Sequence, residues 1–488
     1  MIFIMKLINW RKSYKMMLLK DIKKNCFNLM IIMNILLLMF SLIIYSFNSL
    51  NFLIVTLILL LLINFIFCIY SFKDSFLLLL FICMFFLFLC GQIIIDFITF
   101  CPVLEIFSVS TKQFIVLTLN ISLVFLCASY YFFKRKETFI EYIYVKNNRS
   151  IFFMNLFLSV FIISCFFMIV KYIEMGLYLF NNGYLSIYTN FKSQLPTFCD
   201  QIANLYRLSF FSYICLFPSK KRTIYVSLIF IIISFFTLLS GGRGTLMLNV
   251  AVTLTYFFIR DNLKIDKTPF INKKTIIVFL FCIPLIIIFL NFYNNIRYGF
   301  TTINFNFLNT IKDFIYNIGG SCKVIGYAYD NQSLLTNNYY SLFPFTNLIN
   351  PTTYLPNSVE IATLTNNFQY SISYIVYGAR YLMGEGTGGS YIAEIYTDFG
   401  IFGICIINIF YGFFLSKFIY FFKKNYFLAS LLLLSVTALF WARRDSVFSF
   451  LTLPFESKNI FLFIFIYILY LNWNFIYDYW RKIFWKKN

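Results

Sequence analysis

The sequence of 488 residues contains no histidine. That absence excludes Ser–His–Asp triads, Cys–His dyads and metal sites with histidine ligands. The twelve cysteines form no CxxC pair, which excludes a zinc ribbon and a dithiol redox motif. Only 12% of the residues are charged, about half of the share in soluble domains, so a soluble multidomain protein is excluded as well.

Apolar residues dominate instead, at 61% of the chain with a mean hydropathy of +0.80. Apolar runs of about 20 residues recur throughout and predict an all-α polytopic integral membrane protein with about twelve spans. We predict these spans at about 26–47, 50–70, 76–97, 113–133, 151–171, 203–217, 222–240, 244–259, 275–293, 391–419, 426–442 and 459–480.

The distribution of basic residues sets the orientation. With the N-terminus in the cytoplasm, 28 of the 40 lysines and arginines fall on the inner side, although the outer segments are longer in total. Both termini are therefore expected inside. The net charge of +21 is then mostly an orientation signal and an attraction to anionic lipid, and it requires no nucleic-acid partner.

The predicted spans divide the chain into five segments. A basic amphipathic segment covers residues 1–25 and is expected to lie on the inner membrane face. Spans one to nine cover 26–293, a large outer loop covers 294–390, spans ten to twelve cover 391–480, and a cytoplasmic tail covers 481–488. The first span serves as an uncleaved anchor, because no small-residue cleavage site follows it.

Two stretches of the long loop carry local structural signals. "FNFLNTIKDFIYNIGG" has apolar residues at helical spacing and ends in two glycines, so it predicts a surface helix. "PFTNLINPTTYLP" contains three prolines and predicts an extended, turn-rich segment.

Five arginines stand next to span ends on the predicted outer side, where the orientation rule disfavours them: Arg243, Arg297, Arg380, Arg443 and Arg444. A guanidinium binds phosphate or carboxylate in a planar, two-pronged way, so a phosphate-bearing ligand is indicated. Two alternatives stay open: the arginines reach toward lipid headgroups, or Arg443 and Arg444 pair with Asp445.

The motif "SGGRG" supplies backbone around the first of these arginines. Gly241, Gly242 and Gly244 permit positive φ and close approach of a ligand, and Thr245 opens a span whose N-terminus points outward. A helix N-terminus binds anions through its free N–H groups and dipole. The alternative is an ordinary tight turn.

A glycine-rich stretch, "RYLMGEGTGGSYIAEIYTDFGIFG", leads into span ten. Ser390 is the expected N-cap, and Glu394 and Asp398 share one helical face. Glu394 or Glu385 is a candidate general base or a partner that orients an arginine. The alternative is that these acids only complement the helix dipole. Arg207, inside the short sixth span, is a further functional candidate.

This layout resembles the O-antigen (oligosaccharide repeat-unit) polymerases of the Wzy type. The resemblance covers the whole chain and is sharpest at "SGGRG" (240–244), "GTGGSYIAEIYTDFGIFG" (386–403) and "WARRDSVF" (441–448). It implies a GT-C-like fold in the bacterial inner membrane, with an active site that faces the periplasm. It also implies transfer of a glycan from undecaprenyl pyrophosphate onto the next lipid-linked repeat unit. By position, Arg243, Arg297, Arg380 and Arg443 carry over as catalytic residues, and Arg444 as a substrate-binding one.

The partners follow from that reaction. They are undecaprenyl-pyrophosphate-linked glycans as donor and acceptor, and membrane lipid; whether a regulator sets the chain length stays open. No cofactor and no metal are expected, because guanidinium groups can take up the charge of the leaving pyrophosphate. An O-antigen ligase, a lipid-linked oligosaccharide flippase and a non-enzymatic membrane protein remain as alternatives.

Overall fold

The computed structural model describes residues 2–134, 148–183, 185–240, 242–272, 275, 287, 307–335 and 339–472; side chains are described from residue 24 onward, except at 148, 149, 243 and 470. Every regular element in this part of the chain is helical. The predicted ninth span at 275–293 and the tail at 481–488 lie outside the described ranges, apart from Thr275 and Ile287.

The first half of the chain forms these helices: α1 Ile2–Ser46, α2 Leu50–Tyr70, α3 Phe72–Phe85, α4 Gly91–Ile98, α5 Val109–Lys134, α6 Asn148–Asn182, α7 Ser186–Thr189, α8 Thr197–Asn204, α9 Tyr206–Cys215, α10 Lys220–Phe236 and α11 Arg243–Asn262. A π-helical turn, Phe86–Cys90, joins α3 to α4, and a 3₁₀ turn, Thr237–Ser240, follows α10.

The second half forms α12 Phe307–Ile318, α13 Lys323–Asp330, α14 Phe343–Ile349, α15 Val359–Leu364, α16 Phe368–Tyr377, α17 Ala379–Leu382, α18 Tyr391–Phe422, α19 Tyr426–Trp441, α20 Ser449–Thr452 and α21 Ser457–Leu471. Short 3₁₀ turns lie at Gly319–Cys322, Tyr340–Leu342, Ala442–Arg444 and Leu453–Phe455.

Eight helical segments are long and apolar enough to cross a membrane, and each coincides with a predicted span: Lys24–Ser46, Leu50–Tyr70, Phe72–Ile98, Val109–Lys134, Ser150–Asn182, Lys220–Ser240, Tyr391–Phe422 and Tyr426–Arg444. A ninth candidate is the pair Ser449–Phe455 and Ser457–Leu469, which meets at an angle of 47°. The described residues therefore support eight or nine spans, and the predicted count of twelve is not confirmed.

The sixth and eighth predicted spans differ from the structure for separate reasons. Residues 203–217 contain the end of α8 and the ten-residue α9, which is only about 15 Å long, half the thickness of the hydrocarbon core. Helix α11 has 20 residues, enough length to cross, but Arg243, Arg260 and Asp261 make it too polar to pass as an apolar span.

The chain divides into two compact units. Unit 1 comprises Met1–Glu141, Lys312–Asn337 and Ile392–Tyr420. Its centre is α5, whose most apolar stretch is 89% buried. Helix α18 packs closely on α5, since a Cβ added to Gly412 would lie 1.9 Å from Ser129 Oγ.

Polar side chains also join the helices of unit 1. Asn34 of α1 and Asn64 of α2 exchange hydrogen bonds of 3.1 and 2.8 Å, and both are fully buried. Tyr131 of α5 donates to Asn64 Oδ1 at 3.0 Å. In lipid, such interhelical hydrogen bonds fix which faces of the helices meet.

Unit 2 comprises Tyr142–Ile311, Asn338–Tyr391 and Phe421–Asn488. Helix α9 lies between α6 and α19, and its residues from Leu208 to Cys215 are all buried. Aromatic stacking ties α9 to α10, with the Phe210 and Phe230 ring centroids 4.0 Å apart. The short α9 is therefore an internal element of this unit.

The predicted long loop is largely helical where it is described. The expected helix before Gly319–Gly320 is confirmed as α12. The expectation of an extended segment from Pro344 onward is wrong over its first half, because α14 covers Phe343–Ile349. Pro344 occupies the first turn of that helix. A backbone N–H at this position would have no acceptor within the helix, so the absence of the N–H in proline costs no helical hydrogen bond. Residues 350–357 are irregular, as expected.

Candidate functional site

The turn at the end of α19, Trp441–Asp445, is the point where three motifs of the sequence meet in unit 2. A Cβ added to Gly244 would lie 2.4 Å from Cη2 of Trp441. Only a glycine allows the first turn of α11 to rest on this indole ring. Gly244 has no positive φ, and Gly242 has a φ of −81°, so close approach rather than backbone freedom explains these two glycines.

The glycine-rich segment 384–390 touches the same turn from another direction. Gly389 donates its N–H to the Arg444 carbonyl at 3.3 Å. A Cβ at Gly389 would lie 3.3 Å from the Asp445 Cα, and one at Gly388 would lie 4.0 Å from Arg444 Nη2. Gly388 has a φ of +75°, a left-handed conformation that favours glycine. The backbone of the segment therefore passes beside the Arg444 guanidinium.

Arg443 and Arg444 are neighbours with different surroundings. Arg443 is fully buried, and its Nη1 donates to the Phe440 carbonyl at 2.6 Å, at the C-terminal end of α19. That contact is typical of a cation that satisfies the last carbonyls of a helix. Arg444 is partly exposed and lies 5.7 Å from the centre of the Trp441 ring. Arg444 is thus better placed than Arg443 to contact a ligand.

Asp445 completes this turn. Its carboxylate accepts hydrogen bonds from the Ser446 N–H, at 2.8 Å, and from the Ser449 side chain. Burial raises the pKa of the Asp445 carboxyl, and these two hydrogen bonds oppose the rise. A raised pKa makes the carboxylate a stronger base. The sequence suggested Asp445 only as an ion-pair partner of the arginines.

Arg380 and Glu385 form an ion pair of 3.7 Å near the start of the glycine-rich segment. Their side chains are 63% and 39% exposed, so the pair adds at most about 1 kcal/mol to stability. The Arg380 guanidinium also lies 4.9 Å from the centre of the Tyr377 ring. Glu385 therefore lies next to an arginine, and its role as a general base or as an orienting partner stays a prediction.

Glu394 lies in the first turn of α18 and is 1% exposed. Ser390 directly precedes the helix, as predicted. Its buried Oγ makes no hydrogen bond to the described residues, so Ser390 occupies the N-cap position but its side chain does not cap the helix. Gly400, with a φ of 62°, interrupts the helix two residues after Asp398.

The predicted anion cradle is described in part. Arg243 is the first residue of α11, and its side chain lies outside the described part of the chain, as do Gly241 and Arg297. Gly242 closes the preceding turn through its N–H to the Thr237 carbonyl at 2.9 Å. Thr245 lines a cavity of about 210 Å³ that Arg207 also lines.

Sequence reasoning missed most of this cavity. Arg207 was noticed as a cation inside an apolar run, but Tyr172, Tyr206 and Lys458, which line the cavity as well, carried no separate signal. Their grouping depends on contacts between α6, α9, α11 and α21, which lie far apart in the chain.

Comparison with known proteins shows the family of the chain. A family model described as O-antigen polysaccharide polymerase Wzy matches residues 29–474. No curated protein and no solved structure matches the chain. The matched range contains all three motifs that meet at the Trp441–Asp445 turn and every described span, except the start of Lys24–Ser46. The chain therefore belongs to the Wzy family of O-antigen polysaccharide polymerases.

Proposed function

We propose that this polymerase joins lipid-linked repeat units at the outer face of the bacterial inner membrane. An acceptor hydroxyl attacks the anomeric carbon of the donor glycan, and the bond from that carbon to the diphosphate oxygen breaks. Undecaprenyl pyrophosphate leaves with the electron pair, and the acceptor proton passes to a carboxylate. The proposal includes a GT-C-like fold, both termini in the cytoplasm and a large periplasmic loop. A chain-length regulator as partner also remains a prediction.

The observation that carries the proposal is the meeting of three motifs at Trp441–Asp445. Trp441 fixes the start of α11 through Gly244, and the Arg444 carbonyl holds the glycine-rich segment through Gly389. A partly exposed guanidinium next to closely approaching backbone suits an oxygen-rich anion.

We assign roles on that basis. Arg444 stabilises the charge of the leaving diphosphate, and buried Arg443 positions the turn from the end of α19. Arg243, Arg297 and Arg380, with its partner Glu385, remain candidates for the same anion. Glu394 and Asp445 are the two candidate bases.

Complementation of a gene deletion tests the proposal. The wild-type gene should restore a ladder of surface glycan lengths, and Arg444→Gln should reduce polymer formation by roughly 100-fold or more at equal protein level, the usual cost of losing one preorganised charge stabiliser. Arg222→Gln provides the matched control, because Arg222 is exposed near the start of α10.

The deletion itself separates the alternatives. Loss of a polymerase leaves lipid A core capped with one repeat unit, loss of a ligase leaves unattached polymer, and loss of a flippase leaves no outer-face glycan. A deletion strain with unattached polymer, or an Arg444→Gln strain with a normal ladder, contradicts the proposal.

Catalysis without a metal belongs to the same proposal. If guanidinium groups replace a metal at the diphosphate, purified protein should polymerise lipid-linked repeat units equally well with and without EDTA. The measurement is the length distribution of the product, and addition of Mg²⁺ after EDTA serves as the control. A loss of polymerisation that Mg²⁺ restores would rule out a metal-free site.

A further inference from the structure

The cavity beside Thr245 lies entirely within unit 2 and carries two cations. Arg207 of α9 and Lys458 of α21 both line it, together with Tyr172, Tyr206 and Asn204. Its volume is about 210 Å³, which is enough space for an anionic headgroup.

Arg207 has one hydrogen-bond partner among the described residues. Its Nε donates to the Tyr206 hydroxyl at 3.0 Å, and Tyr172 lies within hydrogen-bonding reach of the same Tyr206. No carboxylate of the described residues lies within 4 Å of the guanidinium. The four N–H groups on Nη1 and Nη2 make no hydrogen bond to the described residues and are left for a ligand, and Arg207 is one of the residues that line the cavity.

Arg260 of the same unit shows what a structural arginine looks like in this protein. Its Nε contacts Asp266 at 2.6 Å, its Nη1 contacts Thr223 at 2.7 Å, and its Nη2 contacts the Pro218 carbonyl at 2.7 Å. All three nitrogens of Arg260 are used by the protein. Arg207 differs because the protein uses only one of its three nitrogens.

The rest of the lining adds to the positive potential. Thr245 is the third residue of the 20-residue α11, and the N–H groups of that first turn have no acceptor within the helix. Lys458 contacts Glu456 at 2.6 Å, and both are partly exposed, so one carboxylate offsets two cations. The cavity thus keeps a net positive charge.

We infer that this cavity binds the diphosphate of the acceptor lipid-linked glycan, with the Arg207 fork and the Lys458 ammonium on its oxygens. Arg444 does not line the cavity and keeps its role at the leaving diphosphate of the donor. The remaining wall contains Asn459 and an apolar part formed by leucines and Met168, and this apolar part suits an anion that is attached to a lipid chain. Tyr206 acts as a positioning residue, because its hydroxyl accepts a hydrogen bond from Nε of Arg207, which lines the cavity. The inference rests on the proposed function and adds residues to it.

A ligand-stability experiment on the full-length protein in neutral detergent tests the inference. The unfolding temperature of wild-type protein should rise saturably with inorganic pyrophosphate at constant ionic strength. Arg207→Gln should need roughly tenfold or more pyrophosphate for the same rise, because a charged hydrogen-bonding pair is lost. Exposed Arg222→Gln should follow the wild type. Equal responses of wild type and Arg207→Gln, or no response of wild type, would overturn the inference.

Two further arms keep the outcome interpretable. Arg207→Lys keeps the charge but loses the fork, and Lys458→Gln alters a partly exposed side chain, so each should weaken the response even if Arg207→Gln fails to fold. Micelles that contain phosphatidylglycerol test whether a phospholipid headgroup occupies the cavity instead of a diphosphate. A rise in unfolding temperature that depends on Arg207 with this lipid, but not with pyrophosphate, would overturn the diphosphate assignment.

Failure of this inference differs from failure of the proposed function. A wild-type gene that restores the glycan ladder, combined with a pyrophosphate response independent of Arg207, contradicts only the cavity assignment. A wild-type gene that restores no ladder contradicts the polymerase proposal, whatever pyrophosphate does to the unfolding temperature.

Discussion

At the residue scale, Gly244 shows that a glycine can be required for contact rather than for conformation. The sequence indicated a glycine that permits positive φ and close approach of a ligand, whereas the structure places Gly244 in the first turn of α11 against the Trp441 ring. Sequence spacing shows where chain reversal is expected, but it cannot show that a tryptophan about 200 residues away lies against that turn.

Gly244→Ala should therefore destabilise the protein, although alanine is a better helix former than glycine by about 1 kcal/mol. The added methyl would lie 2.4 Å from the indole, and such overpacking costs about 1–3 kcal/mol. Thermal unfolding in detergent should show a lower midpoint for Gly244→Ala. Combining it with Trp441→Phe should restore part of the loss, because the smaller ring leaves room.

Gly320→Ala is the matched control, because its Cβ would meet only Gln92 Oε1, at an ordinary 3.5 Å. Equal midpoints for Gly244→Ala and Gly320→Ala would contradict the proposed contact between α11 and Trp441.

At the element scale, the polar contact between α1 and α2 decides how the first two spans pair. The long spans are predictable from hydropathy, because a run of about 20 apolar residues has few alternatives to crossing the membrane. The pairing of these spans cannot be predicted from hydropathy, because leucine-rich helix faces are nearly equivalent in lipid. Asn34 and Asn64 make the pairing of these two spans specific. The side-chain amide of each also donates a hydrogen bond to a carbonyl of its own helix, at 2.8 Å in both cases.

Asn64→Leu should lower the stability by about 1–2 kcal/mol, because it leaves Asn34 and the Tyr131 hydroxyl without their Asn64 acceptor. The double variant Asn34→Leu/Asn64→Leu should be more stable than the sum of the two single variants predicts. Thermal midpoints of the four proteins form the double-mutant cycle. Exposed Asn51→Leu on α2 should change little, and additive single effects at 34 and 64 would exclude the coupling.

The elements that were mispredicted fail for physical reasons. Residues 203–217 are apolar enough for a span, but the helix breaks at Leu205. Arg207 donates a hydrogen bond to the Tyr206 hydroxyl and lines a cavity inside unit 2. Pro344 suggested a turn, yet a proline in the first helical turn stabilises a helix start. In both cases the local sequence admits two structures, and tertiary contacts select one.

At the scale of the whole molecule, local signals located parts of the site but not its composition. Arg444, Gly389, Gly244 and Thr245 stood out as motif residues. The sequence could not show that Gly389 and Gly244 both contact the Trp441–Asp445 turn, which contains Arg444. It also could not show that Thr245 and Arg207 line the same cavity. Such grouping arises from packing between segments up to about 200 residues apart.

The orientation of the whole chain remains a prediction, and exposed positions allow a direct test. The excess of lysine and arginine places residues 98–112 outside and the segment after α11 inside. Cys101 is an exposed free cysteine in the first of these stretches, and Lys267 is exposed in the second. A membrane-impermeant maleimide should label Cys101 in intact spheroplasts.

A cysteine introduced as Lys267→Cys in a Cys101→Ser background should be labelled only after the membrane is permeabilised, and the Cys101→Ser parent measures labelling of the other cysteines. The reverse pattern would place the basic segments outside. It would also move Thr245, which opens α11 at the end away from Lys267, to the cytoplasmic side. Because lipid-linked repeat units are to be joined on the outer face, that result would contradict both the orientation and the proposed use of the cavity.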